Sequence, residues 1–169
     1  MKQRGLFEDS TAQENIKTSH HWELFVDGAS RNNPGPSGAG ICLIKNAIVF
    51  IQCGYYLGIK TNNQAEYLAL LFGLFVLSEH VQTGDTVRIV SDSQLLVRQL
   101  MGIYKVKQPH LQPLHAACKE RMRKLSATIA HVLRDQNTQA DAMANYGVDN
   151  KQLPPKNYIA MLNNYDIIF

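Results

Sequence analysis

The sequence predicts an α/β domain with a mixed five-stranded sheet, in which three antiparallel strands precede two parallel strands and helices cover both faces. Three observations support this fold class. Three β-rich segments follow one another in the first half of the chain, separated by residues that favour turns. A long apolar helical segment then leads to a fourth strand, and such a crossover connection places the new strand parallel to the first. Two further helices, a fifth strand and a last helix complete the predicted order β-β-β-α-β-α-α-β-α.

The first half contains the three antiparallel strands and the most apolar helix. The first strand, at 24–30, is an apolar run that carries Asp27 to its C-terminal end and then turns. The segments 39–45 and 47–56 are the second and third predicted strands. A helix begins with the capping residues of 61–66 and ends near His80, and we expect it to be well buried because it is apolar nearly all round.

The second half alternates strands with helices. The predicted elements are a strand at 86–90, a helix at 94–101, a basic connector at 105–109, a helix at 111–125, a strand at 128–133 and a helix at 137–147. The helix at 111–125 has one apolar and one basic side. Gly147 is predicted to end the last helix. His131 lies inside the last strand and is interpreted as a structural histidine, because packing determines where a strand residue points.

Length and composition predict one domain. With 169 residues and 45% hydrophobic content, the chain can build a single core. We divide it into a flexible leader at 1–20, the domain at 21–148 and a C-terminal tail at 149–169. The apolar end of the tail is expected to dock on its own domain rather than on a partner. We expect a monomer.

The net charge of +3 is unevenly distributed along the chain. Between positions 95 and 134 there are eight Lys and Arg residues and a single acid, Glu120. Such a segment suits a polyanionic ligand, although a solvated helix face explains many basic runs. Three widely spaced cysteines without a CxxC pair argue against disulfides and zinc and favour a reducing compartment. No apolar run approaches the roughly 20 residues that span a bilayer, so a cytoplasmic protein without a membrane partner is expected.

Four carboxylates fall at predicted strand ends or near helix starts: Asp27, Glu66, Asp92 and Asp141. Each alone has an ordinary explanation, as a strand end, a dipole partner, a helix cap or a solvated first-turn acid. Together they point to one site, because ligands of such sheets bind outside the carboxyl ends of the strands. Oxygen ligands without His or Cys favour Mg²⁺ or Mn²⁺. Two such ions about 4 Å apart support in-line displacement at phosphorus.

Four groups of residues resemble the motifs of type 1 ribonuclease H, in that family's order and over about 22–147. They are FVDGAS at 25–30 with NPGP at 33–36, TNNQAE at 61–66, SDSQL at 91–95, and RDQN at 134–137 with AD at 140–141. The resemblance implies a ribonuclease H-like fold and hydrolysis of the RNA strand of an RNA–DNA hybrid, leaving 5′-phosphate and 3′-hydroxyl ends. It also implies that the four carboxylates hold two Mg²⁺ ions, with Mn²⁺ as an alternative.

The same resemblance implies a set of substrate contacts. Asn33, Asn62 and Gln94 match positions that reach the minor groove of the hybrid, where 2′-hydroxyls identify an RNA strand by shape. Thr61 matches a position that holds a phosphate of the DNA strand, and Asn63 in the same motif is a further substrate-binding candidate. For Asn62 and Thr61, helix capping or turn formation remains an alternative role, and one residue can serve both.

Two departures from the better-known members indicate the compact subgroup of the family. The segment 134–137 leaves no room for the long connector whose histidine assists proton transfer or product release, so Arg134 or a tail group is a candidate replacement. The segment 102–109 is too short for the basic helical insertion that grips the hybrid. Lys105, Lys107 and the basic helix face are candidates for holding the DNA backbone, or form a merely solvated surface.

Two other functions stay open at this point. One is a different two-metal nuclease of the same fold that acts on duplex RNA or DNA. The other is a catalytically silent module that only binds nucleic acid. The amide side chains of Asn33, Asn62 and Gln94 favour hybrid recognition over the first, and the presence of all four acids argues against the second.

Overall fold

Three antiparallel and two parallel strands form one mixed sheet within residues 18–169, the part of the chain that the structure, a computed structural model, describes. The strand order is β3-β2-β1-β4-β5. The strands are β1 His21–Ser30, β2 Gly35–Lys45, β3 Ile48–Lys60, β4 Thr86–Ser91 and β5 Thr128–His131. β1 pairs antiparallel with β2 and parallel with β4, and β4 pairs parallel with β5. The predicted fold class is confirmed.

The register of the central strands determines where the acids meet. Phe25 pairs with Val90 across the parallel β1–β4 ladder. Asp27 and Asp92 each follow two residues later, so both leave the sheet at the same C-terminal edge. The antiparallel hairpin is longer than predicted, because β2 already begins at Gly35, which pairs with Lys60 at the end of β3.

Helices cover both faces of this sheet. They are α1 Asn62–Ser78, α2 Gln94–Leu100, α3 Gln112–Lys124, α4 Thr138–Asn150 and α5 Lys156–Asn163, with short 3₁₀ turns at Pro109–Leu111 and Arg134–Gln136. α1 packs on β1 and β2 and against α3, and it is almost wholly buried, as predicted. Trp22, Leu24 and Val26 of β1 point into the same core, since alternate strand residues share a face.

α4 covers β1, β2 and β3, and it continues to Asn150, so the predicted helix end at Gly147 is wrong. A Cβ atom at Gly147 would lie 2.5 Å from the backbone oxygen of Tyr55. The glycine therefore permits close packing of the helix on β3 rather than stopping it. The helix ends instead at Lys151, whose φ of 51° is left-handed.

The C-terminal residues belong to the same core, which confirms that the tail docks on its own domain. Tyr158 of α5 is fully buried, and its hydroxyl donates to the backbone oxygen of Leu68 in α1 at 2.9 Å. Leu162 and Ile167 join the same apolar cluster. The predicted boundary at 148 falls inside α4.

Most of the predicted leader, 1–17, lies outside the described residues. His20, at its end, is bound to the domain, because its backbone N–H donates to Asp85 at 2.8 Å. Across residues 18–169, none of the helices has the length and apolar character needed to cross a membrane.

Candidate active site

The four predicted carboxylates line one polar pocket of about 350 Å³ at the C-terminal edge of β1 and β4. Asp27 lies in β1, Asp92 follows β4, and Asp141 is in the first turn of α4. Glu66 lies beyond the first turn of α1, so the ordinary explanation, an interaction with the helix dipole in that turn, does not apply to it. Asp92 does not cap α2 either, because the N-cap is Ser93, whose hydroxyl accepts from the Leu96 N–H.

Burial and mutual repulsion shape the electrostatics of this pocket. Asp27 is only 7% exposed. Burial first, and then the charges of Asp92 and Asp141, raise the pKa of Asp27 from 3.8 to about 7. The pKa of Glu66 is also raised well above its ordinary value, mainly by burial and then by the charges of Asp27 and Asp92. Such acids repel one another unless a proton or a cation neutralises them.

Asp92 is held by groups on the segment between β5 and α4. Nδ2 of Asn137 donates to Oδ1 of Asp92 at 2.8 Å. Nε of Arg134 lies 3.5 Å from Oδ2, although the Arg134 side chain is 95% exposed. The ring Nε2 of His131 lies 3.2 Å from the backbone oxygen of Asp92. β5 ends at His131, two residues before the predicted end, and the His131 side chain is exposed.

The donor set of the pocket suits a hard divalent cation. It provides four carboxylates and no histidine or thiol. In residues 18–169, no group of three or more His, Cys, Asp or Glu side chains is already arranged to hold a metal ion. The residues fit such an ion in kind, because the pKa values of Asp27 and Glu66 are raised by burial and by neighbouring carboxylates, which a cation would offset.

The predicted substrate-binding residues divide into two groups. Asn62 and Arg134 line the carboxylate pocket itself. Asn33 lies beside Asn62, because its Oδ1 accepts from the Asn62 N–H at 3.0 Å. Thr61 caps α1, and its hydroxyl accepts from the Gln64 N–H.

The remaining candidates are not among the described residues that line this pocket: Asn63, Gln94, Lys105 and Lys107. Gln94 is the exposed first residue of α2. Lys105 and Lys107 are exposed in the connector between α2 and the Pro109–Leu111 turn.

Two asparagines that sequence reasoning gave no role contact the acids. Asn137 holds Asp92, and Asn145 lines the pocket and donates to Oδ1 of Asp141 at 3.3 Å. Asn145 could have been found from its spacing, because residues four apart share a helix face. Asn137 belongs to the RDQN motif, but no spacing in the sequence indicated its contacts, since its partners are 45 and 111 residues away along the chain.

Comparisons with known proteins agree with this geometry. A family described as reverse transcriptase-like matches residues 25–147. The ribonuclease HI of Halobacterium salinarum is 35% identical over 127 residues, which cover 74% of this chain and 63% of the relative. The bifunctional protein Rv2228c of Mycobacterium tuberculosis is 36% identical over 130 residues, which cover 73% of this chain and 34% of the relative. The chain thus spans less than two thirds of the length of either relative.

Comparison with solved structures also finds ribonuclease H enzymes. The crystal structure of RNase H1 from Halobacterium salinarum has a TM-score of 0.72 and 34% identity, covering 77% of this chain and 98% of that one. LC11-RNase H1, from a compost metagenome, has been crystallised in complex with an RNA/DNA hybrid. That structure has a TM-score of 0.70 and 32% identity, and the match covers 76% of this chain and 97% of that one. With the fold, the acids and the motifs in register, this chain belongs to the type 1 ribonuclease H family of enzymes.

Proposed function

We propose that this protein is an endonuclease that hydrolyses the RNA strand of RNA–DNA hybrids and leaves 5′-phosphate and 3′-hydroxyl ends. The observation that carries the proposal is the convergence of Asp27, Glu66, Asp92 and Asp141, which come from four elements of the fold, on one polar pocket. The complex of LC11-RNase H1 with a hybrid supports the substrate class.

The carboxylates are the groups that would hold two Mg²⁺ ions, or Mn²⁺. When bound, these ions would supply a nucleophilic water at neutral pH and stabilise charge on the leaving 3′-oxygen. Asp27 and Glu66 are the acids whose protons such ions would displace, because their pKa values are raised in the metal-free pocket. Burial of Asp27 on a strand keeps it in a fixed position.

Substrate recognition is assigned to the amides and cations around the pocket. Oδ1 of Asn33 accepts from the Asn62 N–H, and its NH₂ group, which has no hydrogen-bond partner within residues 18–169, can donate to a base edge or a 2′-hydroxyl. Gln94 and Asn63 are proposed to reach the minor groove of the hybrid as well. Thr61 is proposed to hold a DNA phosphate while it caps α1, and Lys105 and Lys107 to contact the DNA backbone.

Arg134 is proposed to replace the histidine of longer members, since the segment between β5 and α4 has only a short 3₁₀ turn, Arg134–Gln136. These features would place the chain in the compact subgroup of the family. We further propose that it acts as a monomer. A reducing compartment such as the cytoplasm is also proposed, because Cys42, Cys53 and Cys118 are all free thiols.

The test compares four labelled substrates: an RNA–DNA hybrid, single-stranded RNA, duplex DNA and duplex RNA. Each is incubated with Mg²⁺, Mn²⁺ or a chelator, and the product ends are determined. We expect metal-dependent cleavage of the hybrid alone. Glu66→Gln should reduce the rate about 100-fold or more. Glu79→Gln is the matched control, because Glu79 is exposed at the other end of α1, about 20 Å away at 1.5 Å per residue.

Other results would each contradict the proposal in a different way. Cleavage of duplex RNA or duplex DNA at the same rate as the hybrid would indicate a different two-metal nuclease. Binding of the hybrid without cleavage under any metal would indicate a silent binding module. Cleavage that continues in the chelator would exclude the metal-dependent reaction.

A further inference from the structure

Asn137 contacts all three segments that carry the aspartates of the pocket. The residue is 1% exposed. Its Nδ2 donates to Oδ1 of Asp92 at 2.8 Å and to the backbone oxygen of Val26 at 3.0 Å. Val26 immediately precedes Asp27. The backbone oxygen of Asn137 accepts from the Asp141 N–H at 3.1 Å. One residue therefore joins β1, the end of β4 and the first turn of α4.

The usual role of an asparagine at a helix start does not explain this side chain. Asn137 is the N-cap residue of α4, but its side chain makes no capping hydrogen bond. Its NH₂ group points into the sheet instead, to the edge where Asp27 and Asp92 leave it. The helix would start equally well with a serine or threonine whose hydroxyl faced its own backbone.

The chemistry of its partners fixes the orientation of the amide. Both Val26 and Asp92 present acceptor oxygens, so only the NH₂ side of Asn137 can face them. Oδ1 of Asn137 is buried and has no hydrogen-bond partner among the described residues. An unpaired buried oxygen lowers stability, because it gives up its hydrogen bonds with water and receives none in return. A residue that served stability alone would avoid this cost, so the position favours a donor that acts on Asp92.

We infer that Asn137 is a positioning residue that holds the carboxylate of Asp92 beside the Asp27 strand and so sets the geometry of the cation site. The inference rests on the proposed function of the four carboxylates. Asn137 occupies Oδ1 of Asp92 and leaves Oδ2 directed toward the side of the pocket where Arg134 lies. A carboxylate that is fixed at one oxygen loses less rotational freedom when a cation binds.

Two substitutions separate this role from a packing role. Asn137→Asp keeps the shape of the side chain but replaces the donor NH₂ with oxygen, which faces two acceptors. Asn137→Ala removes the donor without adding charge, and it serves if the aspartate variant does not fold. Met161→Ala is the matched control, because Met161 is buried in α5 and its truncation lowers stability without touching the pocket.

Three experiments are carried out on each variant. Titration calorimetry without substrate gives the dissociation constant for Mn²⁺, steady-state kinetics on a hybrid across a Mg²⁺ series give kcat and KM, and thermal unfolding gives the melting temperature. For both Asn137 variants we expect Mn²⁺ affinity and kcat to fall about 10- to 100-fold. KM for the hybrid should change less than about threefold, since Asn137 is buried. Met161→Ala should lower the melting temperature and leave Mn²⁺ affinity at the parental value.

The outcomes distinguish this inference from the proposed function. A parent that cleaves the hybrid, together with Asn137 variants that retain parental Mn²⁺ affinity and kcat, would overturn the inference and leave the function intact. Loss of Mn²⁺ affinity in step with melting temperature, equal in Asn137→Ala and Met161→Ala, would show a packing role and also overturn it. If the parent does not cleave, weaker Mn²⁺ binding by the Asn137 variants still supports the inference while the function fails.

Discussion

The backbone N–H of Gly28 donates to Oε2 of Glu66 at 3.2 Å, which joins the strand of the first aspartate to the helix of the glutamate. The contact is possible because β1 lies directly against α1 at this point. A Cβ atom at Gly28 would lie 2.3 Å from the backbone nitrogen of Glu66 and 2.3 Å from the backbone carbon of Ala65. No side chain has room there, so glycine is required for this close approach of β1 to α1 and for the hydrogen bond to Glu66.

Gly28→Ala is therefore expected to separate β1 from α1. Backbone atoms cannot yield as flexible side chains do, and overpacking of this kind costs about 1–3 kcal/mol. We expect a lower melting temperature and a loss of hybrid cleavage larger than the loss of stability explains. Gly84→Ala is the comparison, because a Cβ atom there meets nothing within 4 Å, although its φ of 100° adds strain. Parental activity in Gly28→Ala would contradict this account.

Asp27→Asn is expected to abolish cleavage and yet to stabilise the metal-free protein at neutral pH. The pKa of Asp27 is about 7 in the folded state, against an ordinary value of 3.8. Between these values the folded state binds a proton that the unfolded state releases, so this carboxyl reduces stability as pH rises. The difference between these two pKa values corresponds to about 4 kcal/mol, and rearrangement of the neighbouring acids should reduce the gain in the free energy of unfolding to about 1–3 kcal/mol.

The measurement is thermal unfolding in chelator from pH 4 to pH 8. The advantage of Asp27→Asn over the parent should be absent near pH 4, grow through the window to about pH 7 and then level off. Asp149→Asn is the control, since Asp149 is exposed and pairs only at the surface with Arg31. Equal melting temperatures for Asp27→Asn and the parent at pH 8 would contradict the prediction.

Arg134→Ala is expected to lower kcat about tenfold and to leave stability within about 0.5 kcal/mol of the parent. The side chain is 95% exposed, and its contact with Asp92 is a 3.5 Å ion pair at the pocket edge. Arg134→Lys should retain part of the activity because it keeps the charge. Steady-state kinetics on the hybrid provide the measurement, with the exposed Arg88→Ala on β4 as control. Parental kcat in Arg134→Ala would remove Arg134 from the mechanism.

Replacing both Lys105 and Lys107 with glutamine is expected to weaken hybrid binding and to flatten its salt dependence. Both residues are exposed in the connector after α2. Loss of two phosphate contacts should reduce the slope of log K against log salt by about one to two units. The control is Lys45→Gln with Arg88→Gln, which removes the same charge from the half of the sheet away from the carboxylates. An unaltered slope would show that the two lysines are merely solvated.

Tyr158→Ala is expected to destabilise the protein by about 3–5 kcal/mol, because it leaves a large cavity under α1. It also removes the hydrogen bond from the tyrosine hydroxyl to Leu68. Ile168→Ala, in the same tail but 89% exposed, should change stability by less than about 0.5 kcal/mol. Urea unfolding measures both. Equal stability of the two variants would mean that the tail does not support the core.

Most of the fold follows from local pattern. The apolar runs of β1 and β4, the apolar helix α1 and the turn residues near Asn46 are local signals, and they predicted the strands, their order and the parallel pairing of β1 with β4. Ends of elements were less predictable. Glycine commonly ends a helix, and for that reason Gly147 was predicted to do so. Its lack of a side chain instead allows α4 to approach the backbone of Tyr55, a residue far away along the chain.

By itself, the sequence determined the order of the elements along the chain, the strand directions, the four carboxylates and the family, because strand periodicity and motif spacing are properties of short segments. Only the tertiary structure decided how the acids are held. Glu66 accepts a hydrogen bond from the N–H of Gly28, next to Asp27, and Asp92 accepts one from Asn137, 45 residues further along the chain. Contacts of this kind depend on which backbones approach each other in the folded core, and no local pattern of residues encodes that approach.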